Sequence, residues 1–176
     1  MVIEDYIDPE DVEKAFQDSG LVRYAYVHER NTPFPTLREL IESDRRILVM
    51  AENDNGEVSI PWYHDGFELM QETPYPFDSA DALRDPKSCK PNRGTADSPL
   101  FQFNHWVEKV PRSPYLGAEV NAYDFLVERA RECRRRRGLL PNLVAVDFYD
   151  EGDIFEASRK LNGLPRDAEP KVRETG

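Results

Sequence analysis

Cysteine and histidine are scarce in this 176-residue chain: two cysteines, Cys89 and Cys133, neither in a CxxC pair, and three histidines, His28, His64 and His105, spread along its length. With no cluster of His and Cys, the spacing argues against a zinc site, and the cysteine pair allows one disulfide without requiring it. Long apolar runs are also lacking. No stretch reaches the roughly 18 residues that a membrane-spanning helix needs, and residues 1–6 read as part of a strand rather than as the apolar core of a signal peptide. Basic charge is in deficit, with 23 Lys and Arg against 34 Asp and Glu and a net charge of −11. That balance argues against nucleic acid as a partner, because neutralising phosphates needs a cationic face. The one basic run, Arg134 to Arg137, reads as the solvated last turn of a helix, where cations oppose the macrodipole; a local anion patch is the alternative.

The length suits one domain with a sizeable core, but falls short of the roughly 250 residues of a closed eight-stranded β/α barrel. Within it, residues 141–163 (PNLVAVDFYDEGDIFEASRKLNG) organise the rest. Leu143 to Val146 form an apolar run of strand length, the pattern of a strand buried on both faces in a parallel sheet. Asp147 closes the run, where α/β folds place their chemistry. Asp153 then reads as a helix N-cap, with Ile154, Phe155, Ala157, Ser158 and Leu161 on one face and Asn162-Gly163 as the stop.

Taken in order, the chain opens with Val2-Ile3, a short apolar strand ending at Glu4 and Asp5. Asp8-Pro9-Glu10-Asp11 starts a helix that Gly20 ends. Residues 21–27 (LVRYAYV) are rich in β-formers and end at His28. Thr36 and Glu39 form a capping box ahead of a short helix, and Ile47 to Ala51 is the next buried strand, ending at Glu52. From Asn53 to Ser98 prolines, glycines and acids dominate, with scattered aromatics including Trp62 and Tyr63; this reads as a long ordered loop. Leu100 to Phe103 is a strand ending at Asn104-His105-Trp106. A long helix over 119–137 carries Ala122, Leu126, Ala130 and Cys133 on one stripe. The alternation predicts parallel strands with right-handed crossovers, whose polar ends gather on one rim.

With these stretches in hand, the chain resembles the phosphatidylinositol-specific phospholipase C X-domain-like phosphodiesterases, and in particular the C-terminal portion of their distorted β/α barrel. The matching stretches are VIEDYIDPEDV, FPTLRELIESDRRILVMAEN, PWYHDGFELMQETPYPF, CKPNRG, LFQFNHW and PNLVAVDFYDEGD, in the family's order. The resemblance implies a partial TIM-type barrel of about five parallel strands over residues 1–163 with a long rim loop, and a disordered tail over 164–176. It implies acid/base cleavage of a phosphodiester, in a phosphoinositide-like lipid or its soluble head group, by a histidine pair carried on the first half of the barrel. None of the chain's three histidines falls at those positions. The chain therefore reads as a fragment that awaits an N-terminal half or a complementing chain, or as a non-catalytic phosphate- or carbohydrate-binding module. An extracytoplasmic or membrane-surface setting is likewise implied.

Residue by residue, Asp147 matches the carboxylate that orients a catalytic histidine, a role in which it holds the imidazole tautomer; a plain helix-entry role is its alternative. Glu4 matches an acid that ligates Ca2+ in the metal-dependent branch, with Asp5 and Asp8 as competing acids. Arg93, Asn104, Trp62 and Tyr63 lie in segments that line the substrate rim, and Arg93 suits phosphate through paired N–H donors. Trp62 and Tyr63 read equally as loop core, and Glu52 as a solvated strand terminus. Cys89 and Cys133 pair as a disulfide if the chain is extracytoplasmic, as family members often are, and are otherwise buried free thiols.

Overall fold

Strand and helix alternate through a computed structural model that describes residues 1–4, 6–30, 32–53 and 59–165. Asp5, one of the acids competing with Glu4, and residues 166–176 of the expected disordered tail lie outside the described residues. The chain divides into two units, Met1–Glu72 with Pro91–Phe101, and Thr73–Lys90 with Gln102–Gly176. Each has its own core.

In the first unit β1 (Val2–Ile3), β2 (Val49–Ala51) and β3 (Tyr63–Asp65) form a three-stranded sheet in that order. Both pairings are parallel: Val2 lies opposite Met50, and Met50 opposite His64. Helix α1 (Pro9–Asp18) has proline in its first turn, as expected, and buries Val12 and Phe16. These two pack with Val49, Ala51, Ile60, Trp62 and Tyr63 in one core cluster, where the rings of Phe16 and Trp62 stack with centroids 4.6 Å apart. Helix α2 (Leu37–Glu42) carries the expected capping box, Thr36 with Glu39. Helix α3 (Gly66–Leu69) is capped by Asp65, which accepts from the backbone N–H groups of Phe67 and Glu68.

Strand β4 (Met70–Glu72) follows at once, and β4, β5 (Leu100–Asn104) and β6 (Leu143–Ala145) make a second three-stranded sheet in that order. In the second unit the last three residues of β5 pair in parallel with β6, Phe103 opposite Val144.

In the second unit α4 (Ala80–Arg84), a 3-10 turn over Pro86–Cys89, α5 (Pro114–Val120), α6 (Tyr123–Arg137) and α7 (Ile154–Leu161) complete the elements. Leu83, Val107, Val120 and Phe125 form a core cluster there. Cys89 and Cys133 are joined as a disulfide, tying the 3-10 turn to α6 across 44 residues of sequence. Among the described residues no helix is long and apolar enough to cross a membrane.

The α/β class is as expected, but four elements differ. Leu21–Tyr24 is a 3-10 turn rather than a strand, with only a bridge from Ala25 to Ile47. Leu21 and Val27 stay 40% and 45% exposed, so their β-propensity finds no surface to pack on. The expected loop contains β3 and β4, so the described strands number six in two sheets of three rather than about five. The single helix over 119–137 is two, broken at Asn121-Ala122. And β6 is half-buried rather than covered on both faces.

Candidate functional site

The loop after β6 is built by a side chain that carries no recognisable signal in the sequence. Asn121, fully buried at the break between α5 and α6, donates through Nδ2 to the carbonyls of Asp147, Phe148 and Glu151 at 2.9, 3.1 and 3.1 Å. Gly117 of α5 lets the loop lie close, since a Cβ there would come within 2.9 Å of the Phe148 ring. Asp153 caps differently from the expectation. Its carboxylate accepts from the Tyr123 N–H at the start of α6, with no side-chain bond to its own helix.

This clamp holds Asp147 two residues past the C-terminal end of β6. Its Oδ2 accepts from Arg112 Nη1 at 2.5 Å, with the carboxylate side chain 28% exposed. Both residues line an open cavity of about 480 Å³ together with Tyr75, Trp106, Tyr149 and the Val144–Val146 edge of β6. The rings of Tyr75 and Trp106 lie 5.7 Å apart. One guanidinium (Arg112), two carboxylates (Asp147 and Glu108) and three aromatic rings line it, a set that suits a ligand bearing hydroxyls beside one anionic group. Arg112 sits in the proline-flanked segment VPRSP, where no periodicity marks it, and only the fold brings it to Asp147.

Asn104 is also in this unit, fully buried at the end of β5. Its backbone N–H donates to Thr73 Oγ1 and its Nδ2 to the Thr73 carbonyl, at 2.9 and 2.7 Å. Its amide therefore serves the loop that follows β4. His105, next to it, is fully buried and forms part of a different assembly. Arg129 of α6 reaches in and donates through Nη1 to the Asn104 carbonyl and to His105 Nδ1, at 2.9 and 3.0 Å. It also donates through Nε and Nη2 to Ser88 Oγ and the Ser88 carbonyl. Because arginine can only donate, His105 Nδ1 must accept, so the proton sits on Nε2 and goes to the Val120 carbonyl at 2.7 Å. Burial, and then the Arg129 charge, push the His105 pKa down to about 3.

The remaining sequence candidates lie in the first unit. Arg93 is not free for phosphate: it pairs with Glu52 and, at 2.6 Å, with Glu72, and its guanidinium lies 4.2 Å over the Phe67 ring. Burial alone would lower its pKa, but hydrogen bonds to Glu72 and Glu52 raise it above the ordinary arginine value. Glu52 is thus an ion-pair partner with its side chain 20% exposed, rather than a solvated terminus. Glu72 is fully buried and is held as well by Asn92 Nδ2 at 2.7 Å. Trp62 and Tyr63 are 6% and 2% exposed in the core cluster, where loop core describes them better than a substrate platform. Glu4 is exposed, and among the described residues no three His, Cys, Asp or Glu side chains converge as a cation site.

Gly94 explains how Arg93 reaches its acids. It has φ +77°, and a Cβ there would lie 2.1 Å from the Met70 carbonyl, so only glycine lets the segment close on β4. Gly94→Ala is expected to destabilise the fold by about 3 kcal/mol, from left-handed strain plus backbone displacement. Urea unfolding checks this; a loss below about 1 kcal/mol would show that the turn relaxes freely.

Set beside known proteins, the chain matches the family model described as PI-PLC X over residues 1–162. It is similar to a protein of Arthroderma benhamiae named PI-PLC X domain-containing protein 1, 26% identical over 183 residues, covering 91% of this chain and 56% of that protein. A second protein of that organism, named as an uncharacterized secreted protein, is 24% identical over 184 residues, covering 91% of this chain and 41% of its own length. The chain thus spans about half the length of the curated relatives it matches. No solved structure matches.

Proposed function

Because this chain belongs to the PI-PLC X family, we propose that it carries one part of the active site of a phosphoric diester hydrolase of the phospholipase C type, on part of a TIM-type barrel. The substrate class is a phosphoinositide-like lipid or its head group, cleaved by attack of a hydroxyl on phosphorus. The working surface is extracytoplasmic or membrane-associated, in keeping with the name of the secreted relative. The observation that carries the reading is the Asp147–Arg112 pair beyond the end of a parallel strand, beside an aromatic-walled cavity.

Arg112 suits the non-bridging phosphate oxygens through paired N–H donors, and Asp147 suits the N–H of an imidazole acting as general base. His64 Nε2 bonds the Tyr26 carbonyl at 3.1 Å and His105 is locked by Arg129, while His28 bonds Tyr26 through its ring. None of the three lines the cavity. In this scheme the base is supplied from outside the given sequence, by another part of the barrel or by a complementing chain.

The chain alone is expected to show no turnover of phosphatidylinositol, and addition of the first barrel half from a relative to restore it. In the restored enzyme Asp147→Asn should lower kcat by about 10²- to 10⁴-fold, because the imidazole tautomer is no longer held. Turnover by the unaided chain would refute the scheme. The second reading, a non-catalytic module for phosphate or carbohydrate, draws on the same absence of an imidazole from the cavity. Phosphate or inositol binding, with no restoration of turnover by any added half, would favour it.

A further inference from the structure

A separate cavity of about 500 Å³ lies in the second unit between the 3-10 turn Pro86–Cys89 and α6. It does not depend on the phosphodiesterase reading, because neither Asp147 nor Arg112 lines it. Arg129, 5% exposed, is among its lining residues. Buried guanidinium groups are ordinarily matched by a carboxylate, since an uncompensated charge is costly to desolvate. Arg129 has no carboxylate partner among the described residues, and every acceptor it meets is neutral: Ser88 Oγ, two backbone carbonyls and His105 Nδ1. Those bonds use four of its five N–H groups, which leaves one on Nη2 uncommitted.

The wall adds more cations. Arg84, Arg131 and Arg135 line the cavity with Arg129, against Asp85, Glu128 and Glu132. Glu132 is bonded by both Arg135 and Arg136, Asp85 accepts from the Lys87 N–H, and Arg84 pairs with Asp81 and Glu119, so Arg129 and Arg131 are the cations of the lining that no carboxylate holds among the described residues. Arg131 is exposed and has no ion-pair partner among the described residues. The Cys89–Cys133 disulfide holds the two walls together.

We propose that this cavity binds a small oxyanion, a phosphate or sulfate group, either free or as the ester of a small molecule, with Arg129 at its base and Arg131 and Arg135 on its wall. The anion supplies the counter-charge that the protein itself withholds from Arg129. It also gives a use to part of the basic run at the end of α6 beyond opposing the macrodipole.

The test uses the full chain, with inorganic phosphate and glycerol 3-phosphate as probes at constant ionic strength. Calorimetry follows binding, and nuclear magnetic resonance follows the Arg129 Nε–H signal. Saturable millimolar binding that moves that signal is expected, and the tighter probe tells whether the free anion or its ester is the occupant. Arg131→Glu combined with Arg135→Glu changes only exposed side chains, leaving the Arg129 bonds intact, and should weaken binding at least about tenfold. The proposal is overturned if neither probe saturates, if the Arg129 signal stays fixed on binding, or if the double variant binds as tightly as the parent.

Discussion

Replacing Arg129 by methionine should destabilise the fold by about 5 kcal/mol, although the substitution keeps the volume and removes a buried charge. The reason lies in what the guanidinium leaves behind. Two backbone carbonyls, at Ser88 and Asn104, lose a donor, and so do Ser88 Oγ and His105 Nδ1, all at buried residues. Each buried orphan costs about 1–3 kcal/mol, and relief of the buried charge offsets only part of that. Methionine can still pack on the ring of Phe103, where the guanidinium carbon now lies 4.3 Å from the centroid. Arg129→Lys should recover little, because an ammonium cannot reach both sides of the network. The measurement is the urea midpoint at neutral pH. A loss under about 1 kcal/mol for the methionine variant would mean that water replaces the guanidinium and that the network does not hold β5 to α6.

Acid should destabilise the protein through His105 before most carboxylates titrate. The pKa of this residue, 6.5 when unperturbed, is pushed down to about 3 by burial and then by the neighbouring charge of Arg129. The folded value lies below the unfolded one, so the unfolded chain takes up the proton first. The stabilisation is therefore complete above about pH 6.5 and drains away as pH falls toward 3, in total roughly 4–5 kcal/mol. His105→Gln keeps a side-chain donor and acceptor without the titration, and should flatten the dependence of stability on pH in this window. An unchanged slope between pH 6.5 and 4 for that variant would remove His105 from the account. Arg129→Met should also shallow the slope, since it removes the second cause of the shift.

Much of the fold was legible because the signals are local. The proline of the first turn and the apolar spacing of α1, the Thr36–Glu39 box and the run at Leu143 each depend on neighbours a few residues away. β3 and β4 were not legible, because Tyr63-His64-Asp65 and Met70-Gln71-Glu72 are mostly polar. Pattern reading assigns such segments to loops. β3 is a strand because its backbone pairs in parallel with β2, and the polar side chains of β4 are buried because distant groups satisfy them: Gln71 Nε2 donates to the carbonyls of Ala96 and Ser98, and Glu72 receives Asn92 and Arg93. The break at Asn121 was hidden for the same reason, since its amide is used by a loop 26 to 30 residues further on.

What the sequence determined by itself was the class and the family: the alternation of strand and helix in outline, the acid that follows the last strand, and the stretches shared with the PI-PLC X domains. Those are set by periodicity, turn chemistry and residue type, which act over a few residues. Only the tertiary structure decided the partners of each charge. It put Arg93 between two carboxylates, Arg112 on Asp147, and Arg129 among neutral acceptors beside an open cavity. Which acceptor a guanidinium meets depends on contacts 21 to 41 residues apart, and no local propensity encodes such a pairing.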